Sequence, residues 1–455
     1  MHYFFCGIGG SGMSALAMIL SSRGETVSGS DRSFDQGANI EFSQTLTERG
    51  ITLCPQDGSG ITREVDVLVV STAIEQSIPD VKAAVDAKIK IIRRAELLEQ
   101  IFSQGPGIAV GGTSGKTTVT AMAGHILREV GKNPTVVNGG IMINSKPEDG
   151  LGNAWCGDEK LCVIEADESD GTIEFYSPQV AVLTTVSLDH QPMDELHRLF
   201  KGFIARATEG AVINADCADA YEHISDNPNV LSFGIDNLEA NLLGHAIQPR
   251  PDGVSFEVNS KMLVHLQVPG RHNVLNALAA IAACALLDVA PEQSAAALAS
   301  FKGTRRRLEV IGKSAGGITV IDDFGHNPEK IAASLDTLNE FEGRMIVFYQ
   351  PHGFKPTRML KDGLIESFIT GMRPGDVLVM PEIFYAGGTV TRDISSKDLT
   401  DEVEAAGFQA IYTDDRDQAF TQIMGLAQAG DRIIVMGARD NTLTDFARAI
   451  LAACS

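Results

Sequence analysis

Apolar residues fall along this chain in short unbroken runs, each closing on glycine or polar residues and followed by a stretch with helical spacing. His2–Gly7, Thr26–Ser30, Val65–Ser71 and Ile108–Val110 read this way, as do Lys160–Glu165 and Val180–His190. Ile318–Ile321, Met345–Tyr349, Val377–Met380 and Arg432–Met436 carry the pattern towards the C-terminus. Strands that are apolar throughout, not alternating, are covered on both faces, and the helical stretches between them supply the cover. The pattern predicts parallel α/β sheets in three successive units, 1–105, 106–305 and 306–455, with Gly105-Pro106-Gly107 as the first linker. Asp236–Val268 differs: it alternates around a Pro-Asp-Gly turn at 251–253, which predicts antiparallel hairpins.

Composition narrows the partners. Lys and Arg number 37 against 59 Asp and Glu, and the net charge of −22 argues against nucleic acid and anionic membranes. Any anionic ligand must then be held by local positive features. Seven cysteines, an odd number without a C-x-x-C pair, fit reduced thiols in a cytoplasm. The N-terminus lacks the basic region of a signal peptide. The longest apolar run, Val274–Leu287, is interrupted by Asn276 and too short to span a bilayer, so it reads as a buried helix. The expectation is a soluble cytoplasmic protein, monomer or homodimer.

The chemistry concentrates in Gly107–Thr118, a short strand, a glycine-rich turn (Gly111-Gly112-Thr113-Ser114-Gly115-Lys116-Thr117-Thr118) and a helix start. Such a turn aims backbone N–H groups into one concavity at the positive end of a helix, which suits phosphate. Lys116 would reach the outer phosphates and Thr117 would ligate Mg²⁺. The turn departs from the general phosphate-loop pattern, since Val110 stands six residues before the lysine. Further on, Glu165-Ala-Asp-Glu-Ser-Asp170 follows a buried strand, so Glu165 and His190 can converge on the edge that carries Lys116 and Thr117.

At the N-terminus Gly7-Ile-Gly9-Gly-Ser11-Gly12-Met13 has Asp31 19 positions after its last glycine, inside one βαβ unit. Taken alone, that reads as a dinucleotide site with Asp31 on a ribose, although no residues for hydride chemistry accompany it. Ser71-Thr72 closes a neighbouring strand at the ligand-binding edge. Later stretches add Arg271-His-Asn273-Val-Leu-Asn276, where the two amides share a helix face and can cap the helix or read a base edge. Lys302–Arg307 gathers four positive charges, fit to clamp a phosphate or to form a hinge.

Taken together these motifs resemble the Mur ligases over essentially the whole chain. The Gly-Ile-Gly-Gly-Ser-Gly-Met opening, Arg-Arg-Ala-Glu-Leu-Leu98, the phosphate turn, Glu-Ala-Asp-Glu-Ser-Asp, Asp189-His190, His272-Asn273, Asp322-Asp323-Phe-Gly-His326-Asn-Pro and Tyr349-Gln-Pro-His352 follow the family's order. The resemblance implies three domains: a Rossmann-like 1–105, a central P-loop ATPase-like 106–305 with parallel sheet plus antiparallel hairpins, and a doubly wound α/β 306–455. It implies that Gly9, Ser11, Gly12, Met13, Asp31, Ser71 and Thr72 hold the uridine nucleotide of UDP-N-acetylmuramate. Gly112 to Thr118, Asn273, Asn276 and Arg307 are implied for ATP, and Thr117, Glu165 and His190 for Mg²⁺. Lys116, His190 and His326 are the implied catalytic set, and His352, Lys355 and Arg358 the amino-acid site. The implied reaction is an ADP-forming amide synthesis between the UDP-N-acetylmuramate carboxylate and an amino acid of L-alanine type, through an acyl phosphate, in peptidoglycan synthesis. Two other readings stand beside it: a ligase attaching a preformed peptide to the same nucleotide in wall recycling, and an NAD-dependent oxidoreductase fused to an ATPase domain.

The chain departs from the family pattern in places. Ser114 replaces a histidine within the turn, Thr185 an asparagine before Asp189-His190, and Asn327 a histidine. Gly353 stands where the alanine-adding branch has an arginine after Phe-Gln-Pro-His, which leaves Lys355, Arg358 or Arg392 to meet an α-carboxylate and predicts loose selection for L-alanine or preference for another amine.

Overall fold

The computed structural model describes residues 1–71, 74–146, 151–157, 160–169, 171–188, 191–385, 391–440 and 442–454. The apolar runs form the strands of three sheets. The first sheet contains β1 (His2–Cys6), β2 (Thr26–Ser30), β3 (Thr52–Cys54), β4 (Val67–Val70) and β5 (Lys90–Arg93), all parallel in the order β3-β2-β1-β4-β5. Its order reverses at β1, so the turn after β1 opens at the crevice where such sheets receive ligands.

The second sheet is built on β6 (Gly107–Gly111), β7 (Thr135–Val137), β8 (Ala154–Trp155), β9 (Cys162–Glu165), β10 (Val180–Leu183), β11 (Gly210–Asn214) and β12 (Val230–Gly234). The strands run in the order β12-β11-β10-β6-β9-β7-β8, and β6 lies parallel between β10 and β9. β13 (Leu242–Arg250), β14 (Gly253–Val258) and β15 (Met262–Leu266) continue the sheet from β12, with the predicted turn at 251–253 between the first two. The third sheet holds β16 (Glu309–Lys313), β17 (Thr319–Asp323), β18 (Met345–Gln350), β19 (Val377–Pro381), β20 (Gln409–Thr413) and β21 (Arg432–Gly437), in the order β16-β17-β21-β18-β19-β20. Only its β16–β17 edge pair is antiparallel, with a bulge between Val310 and Gly312. The fold is α/β, with parallel sheets and hairpins, as the pattern predicts.

Three sheets make two compact units. One comprises Met1–His245, Glu257–Val264 and Leu275–Phe301, and the other Ala246–Phe256, His265–Val274 and Lys302–Ser455. Within the first unit one apolar core runs from Phe5, Val67 and Ile92 to Ala109, Ile164 and Leu183, and a smaller one gathers around Phe4, Leu68 and Val81. Gly105-Pro106-Gly107, expected as a linker, is part of that packing. A Cβ on Gly107 would lie 2.4 Å from the Phe102 ring, and the Pro106 carbonyl accepts from the Cys162 amide. In the second unit alternate residues of each strand feed two cores, Val347 and Leu378 one face, Ile346 and Val377 the other. That is the doubly wound arrangement. The apolar run 274–287 belongs to the helix Arg271–Ala285 and its short continuation, and among the described residues no helix is long and apolar enough to cross a membrane.

Candidate active site

β6 ends in the glycine-rich turn, and the helix Lys116–Glu129 starts directly behind it. Gly115, the residue before the helix, has φ +87°, a conformation that L side chains resist, and a Cβ there would stand 2.8 Å from Asn276 Oδ1. The turn is fastened to the end of β10 by hydroxyls. The Thr113 amide donates to the Thr185 carbonyl at 2.9 Å, its Oγ1 lies 2.9 Å from Ser187 Oγ, and the Ser114 amide donates to Thr185 Oγ1 at 3.0 Å. Thr184 Oγ1 donates towards the Gly111 and Ser114 carbonyls. Thr113 therefore spends its hydroxyl on the latch, while Ser114 Oγ is buried without a partner among the described residues and Thr118 is half-buried on the first helical turn. The sequence singled out Thr185 only as a departure; its place in the latch is a tertiary fact.

The Lys116 ammonium bonds to Gly112 O and to both oxygens of Glu168, at 3.0 and 2.8 Å. Burial works against that charge, but Glu168, Glu165 and Asp167 outweigh it and lift the lysine pKa above its ordinary value. Burial also pushes the Glu168 carboxyl up, against the pull of Lys116. At the next residue, Thr117 Oγ1 donates to Glu165 at 3.0 Å, and Glu165 Oε2 also accepts from the Gly139 amide at 2.8 Å. The strand end of β9 and the helix start after β6 thus place a lysine, a hydroxyl and two carboxylates side by side. Of the acidic cluster the sequence chose Glu165; Glu168, which holds Lys116, went unmarked. His190 and Thr72 lie outside the described residues, as do Asp170 and Asp189. Among the described residues no group of three or more His, Cys, Asp or Glu side chains is placed to hold a metal.

In the first sheet the turn after β1 is tied to the end of β2 through Asp31. Gly9 N donates to Asp31 Oδ2 at 2.8 Å, and Ser33 gives its amide and hydroxyl to Oδ1 at 2.9 and 2.6 Å. The carboxylate helps to shape the turn after β1, at the position expected to meet the nucleotide. Met13, on the first helical turn, is 2% exposed and packs in the core. Ser11 offers its carbonyl to Asn153 Nδ2, Gly12 lies against the Arg94 side chain, and Ser71 is half-buried at the end of β4.

In the second unit Asp322 and Asp323 close β17. Asp322 pairs with Arg306 at 3.3 Å and accepts from Thr444 Oγ1 at 2.6 Å; burial nonetheless pushes its carboxyl up. Asp323 accepts from the Leu308 and Gly325 amides and Ser334 Oγ, each at 2.9 Å. His326 follows, with Nδ1 3.0 Å from the Phe324 carbonyl and its ring 5.6 Å from that of His352. Burial, then Lys330, holds its pKa well below the ordinary histidine value. With Nδ1–H donating, a neutral His326 keeps Nε2 as an acceptor. Asn327 caps the next helix through the Lys330 amide at 3.0 Å, and Asn273 folds back on the Pro269 carbonyl at 2.7 Å.

The basic stretch 302–307 is not an open patch. Arg305 pairs with Glu309, Arg306 enters the core against Asp322, and Arg307 lies 4.9 Å over the Phe324 ring. His352 is half-buried after β18. Lys355 is exposed, and Arg358 is paired with Asp393, so its charge is already engaged.

The comparisons with known proteins agree with this geometry. Residues 2–105 match the Mur ligase family catalytic domain, 110–284 the Mur ligase middle domain and 306–439 the Mur ligase glutamate ligase domain. The UDP-N-acetylmuramate–L-alanine ligase of Dictyoglomus turgidum is 33% identical across 95% of this chain and 93% of its own. That of Lachnospira eligens is 34% identical, covering 97% and 96%. The crystal structure of UDP-N-acetylmuramate–alanine ligase from Thermotoga maritima superposes with a TM-score of 0.80 at 25% identity, covering 99% of this chain and 98% of that one.

Proposed function

The chain belongs to the Mur ligase family, and from that premise we propose that it is the ATP-dependent, ADP-forming ligase that joins the carboxylate of UDP-N-acetylmuramate to the amine of L-alanine in peptidoglycan synthesis. The observation that carries the reading is the convergence of Lys116, Thr117, Glu165 and Glu168 at the start of one helix, in a chain a third identical to such ligases over its length.

The chemistry follows from charge. Two anions must meet when a carboxylate oxygen attacks the γ-phosphorus of ATP and ADP leaves. Lys116, the backbone N–H groups of the turn and the helix terminus offset that repulsion and stabilise the spreading charge. The amine then attacks the acyl carbon, the carbon–oxygen bond to phosphate breaks, and the amine's surplus proton is lost. His326, held neutral by burial with Nδ1 on the Phe324 carbonyl, has in Nε2 an atom able to accept it. Thr117 and Glu165 present hard oxygens side by side, the donor type Mg²⁺ requires, with His190 as the further ligand; bound there, the ion would shield the phosphate charge. We assign UDP-N-acetylmuramate to segment 1–105, ATP to 106–305 and the amino acid to 306–455. The Asp31 geometry, with three donors already on its carboxylate, favours this over a dinucleotide reading of the first segment.

Phosphate release tests the proposal. With ATP, Mg²⁺ and UDP-N-acetylmuramate, single L-amino acids are compared with L-alanyl peptides. Release that depends on L-alanine supports the reading. Release that depends on a peptide alone transfers the chain to the recycling class, and release without any amine removes the ligase assignment.

A further inference from the structure

We propose that Arg392 binds the α-carboxylate of the amine substrate, an inference that rests on the ligase reading. Position 353 begins the helix Phe354–Gly371 with φ +72° and ψ 128°, and a Cβ there would stand 3.3 Å from the Pro356 ring. A side chain at 353 is therefore strained, and the cation for an α-carboxylate must come from another element. Arg358 is engaged by Asp393, and Arg416 reaches Asp440. Arg392 differs. Its guanidinium carbon lies 5.5 Å from the Phe354 ring centre and 5.2 Å from that of Tyr385, and it makes no ion pair or hydrogen bond among the described residues.

The surroundings keep that charge available. Asp393, its neighbour in sequence, is spent on Arg358. Glu382, on the segment after β19, is occupied by the Ile383 and Ser396 amides, Ser395 and Tyr412. The Phe354 and Tyr385 ring centres lie 5.7 Å apart, so both rings stand to one side of the guanidinium and leave its N–H groups on the other side for a bidentate carboxylate. Gly353 N donates to Phe384 O at 2.9 Å and Phe384 N to Pro351 O at 2.8 Å, which ties the Tyr385 segment to the end of β18 beside His352. The ligand class is a free α-amino acid.

The test compares L-alanine with L-alaninamide, which lacks the carboxylate, in the full chain with ATP, Mg²⁺ and UDP-N-acetylmuramate. Arg392→Ala is expected to raise KM for L-alanine roughly 10- to 100-fold, the worth of a charged hydrogen-bonded pair, with kcat and both nucleotide KM values unchanged. The preference for alanine over alaninamide should collapse in Arg392→Ala and return in part in Arg392→Lys. A preference that survives in Arg392→Ala, or a wild type indifferent to the carboxylate, overturns the inference while leaving the ligase standing. No turnover of either amine by the wild type overturns both.

Discussion

Thr184→Val tests whether hydroxyls, not charges, hold the phosphate turn in shape. Valine keeps the volume of threonine, so the substitution removes one donor from a buried site, 4% exposed, without opening a cavity. The Gly111 carbonyl still receives the Thr184 amide at 3.1 Å. The Ser114 carbonyl keeps only Thr185 Oγ1, at 3.4 Å, and is otherwise stranded. An unmet buried carbonyl costs about 1–3 kcal/mol. The same loss should appear in ATP binding, because Ser114 can recover a partner only by rotating the peptide whose neighbours aim at phosphate. We expect a 5- to 100-fold rise in the ATP Kd and a fall of about 2–10 °C in Tm. Thr120→Val, on the helix Lys116–Glu129 behind the turn, is the control. Its hydroxyl is buried with no partner among the described residues, so removing it should leave ATP binding alone and raise stability by about 1 kcal/mol. Calorimetric titration with ATP and thermal melts read both variants. Equal effects in the two, or an unchanged ATP Kd in Thr184→Val, refute the reasoning.

Lys116→Met should abolish phosphate release and lower stability by about 3–5 kcal/mol, because it leaves Glu168 buried without its cation; Lys116→Met with Glu168→Gln should regain the stability and not the activity, as denaturant melts and assays would show. Gly353→Arg should cost about 1–3 kcal/mol through its positive φ and should not tighten L-alanine, so a lower KM with an unchanged melt would contradict the backbone argument. His125, buried with Nε2 2.9 Å from Ser300 Oγ, has its pKa lowered by burial. Its neutral folded form means stability present above the unfolded pKa, about 6.5, and lost as pH falls from there, by at most about 1.4 kcal/mol per pH unit. The stability gap between wild type and His125→Gln should therefore narrow from pH 7.5 to pH 5.5 in urea melts, and a constant gap would exclude the linkage.

The buried parallel strands were legible because each is apolar throughout, and the phosphate turn because its glycines and lysine are contiguous. Edge strands were not. β20 is half-exposed and β16 is bulged, so neither carries a continuous apolar run. Gly105-Pro106-Gly107 has the composition of a hinge and is packed because Phe102 needs the space above Gly107. The basic run 302–307 reads as a patch only until Asp322 and Glu309, which are distant or across a turn, claim two of its arginines. Pairings such as Lys116 with Glu168 cross 52 positions and join residues that sequence can mark singly but not join. The positive-φ backbone at Gly353 was hidden for a different reason: a glycine in sequence does not reveal which sign of φ it adopts.

The most direct test of the central claim follows one oxygen. UDP-N-acetylmuramate labelled with ¹⁸O in its carboxylate is turned over with ATP, Mg²⁺ and L-alanine, and the released phosphate is weighed by mass spectrometry. If the carboxylate attacks the γ-phosphorus and the amine displaces phosphate, each phosphate carries one oxygen from the carboxylate. Unlabelled phosphate alongside amide product would contradict the account.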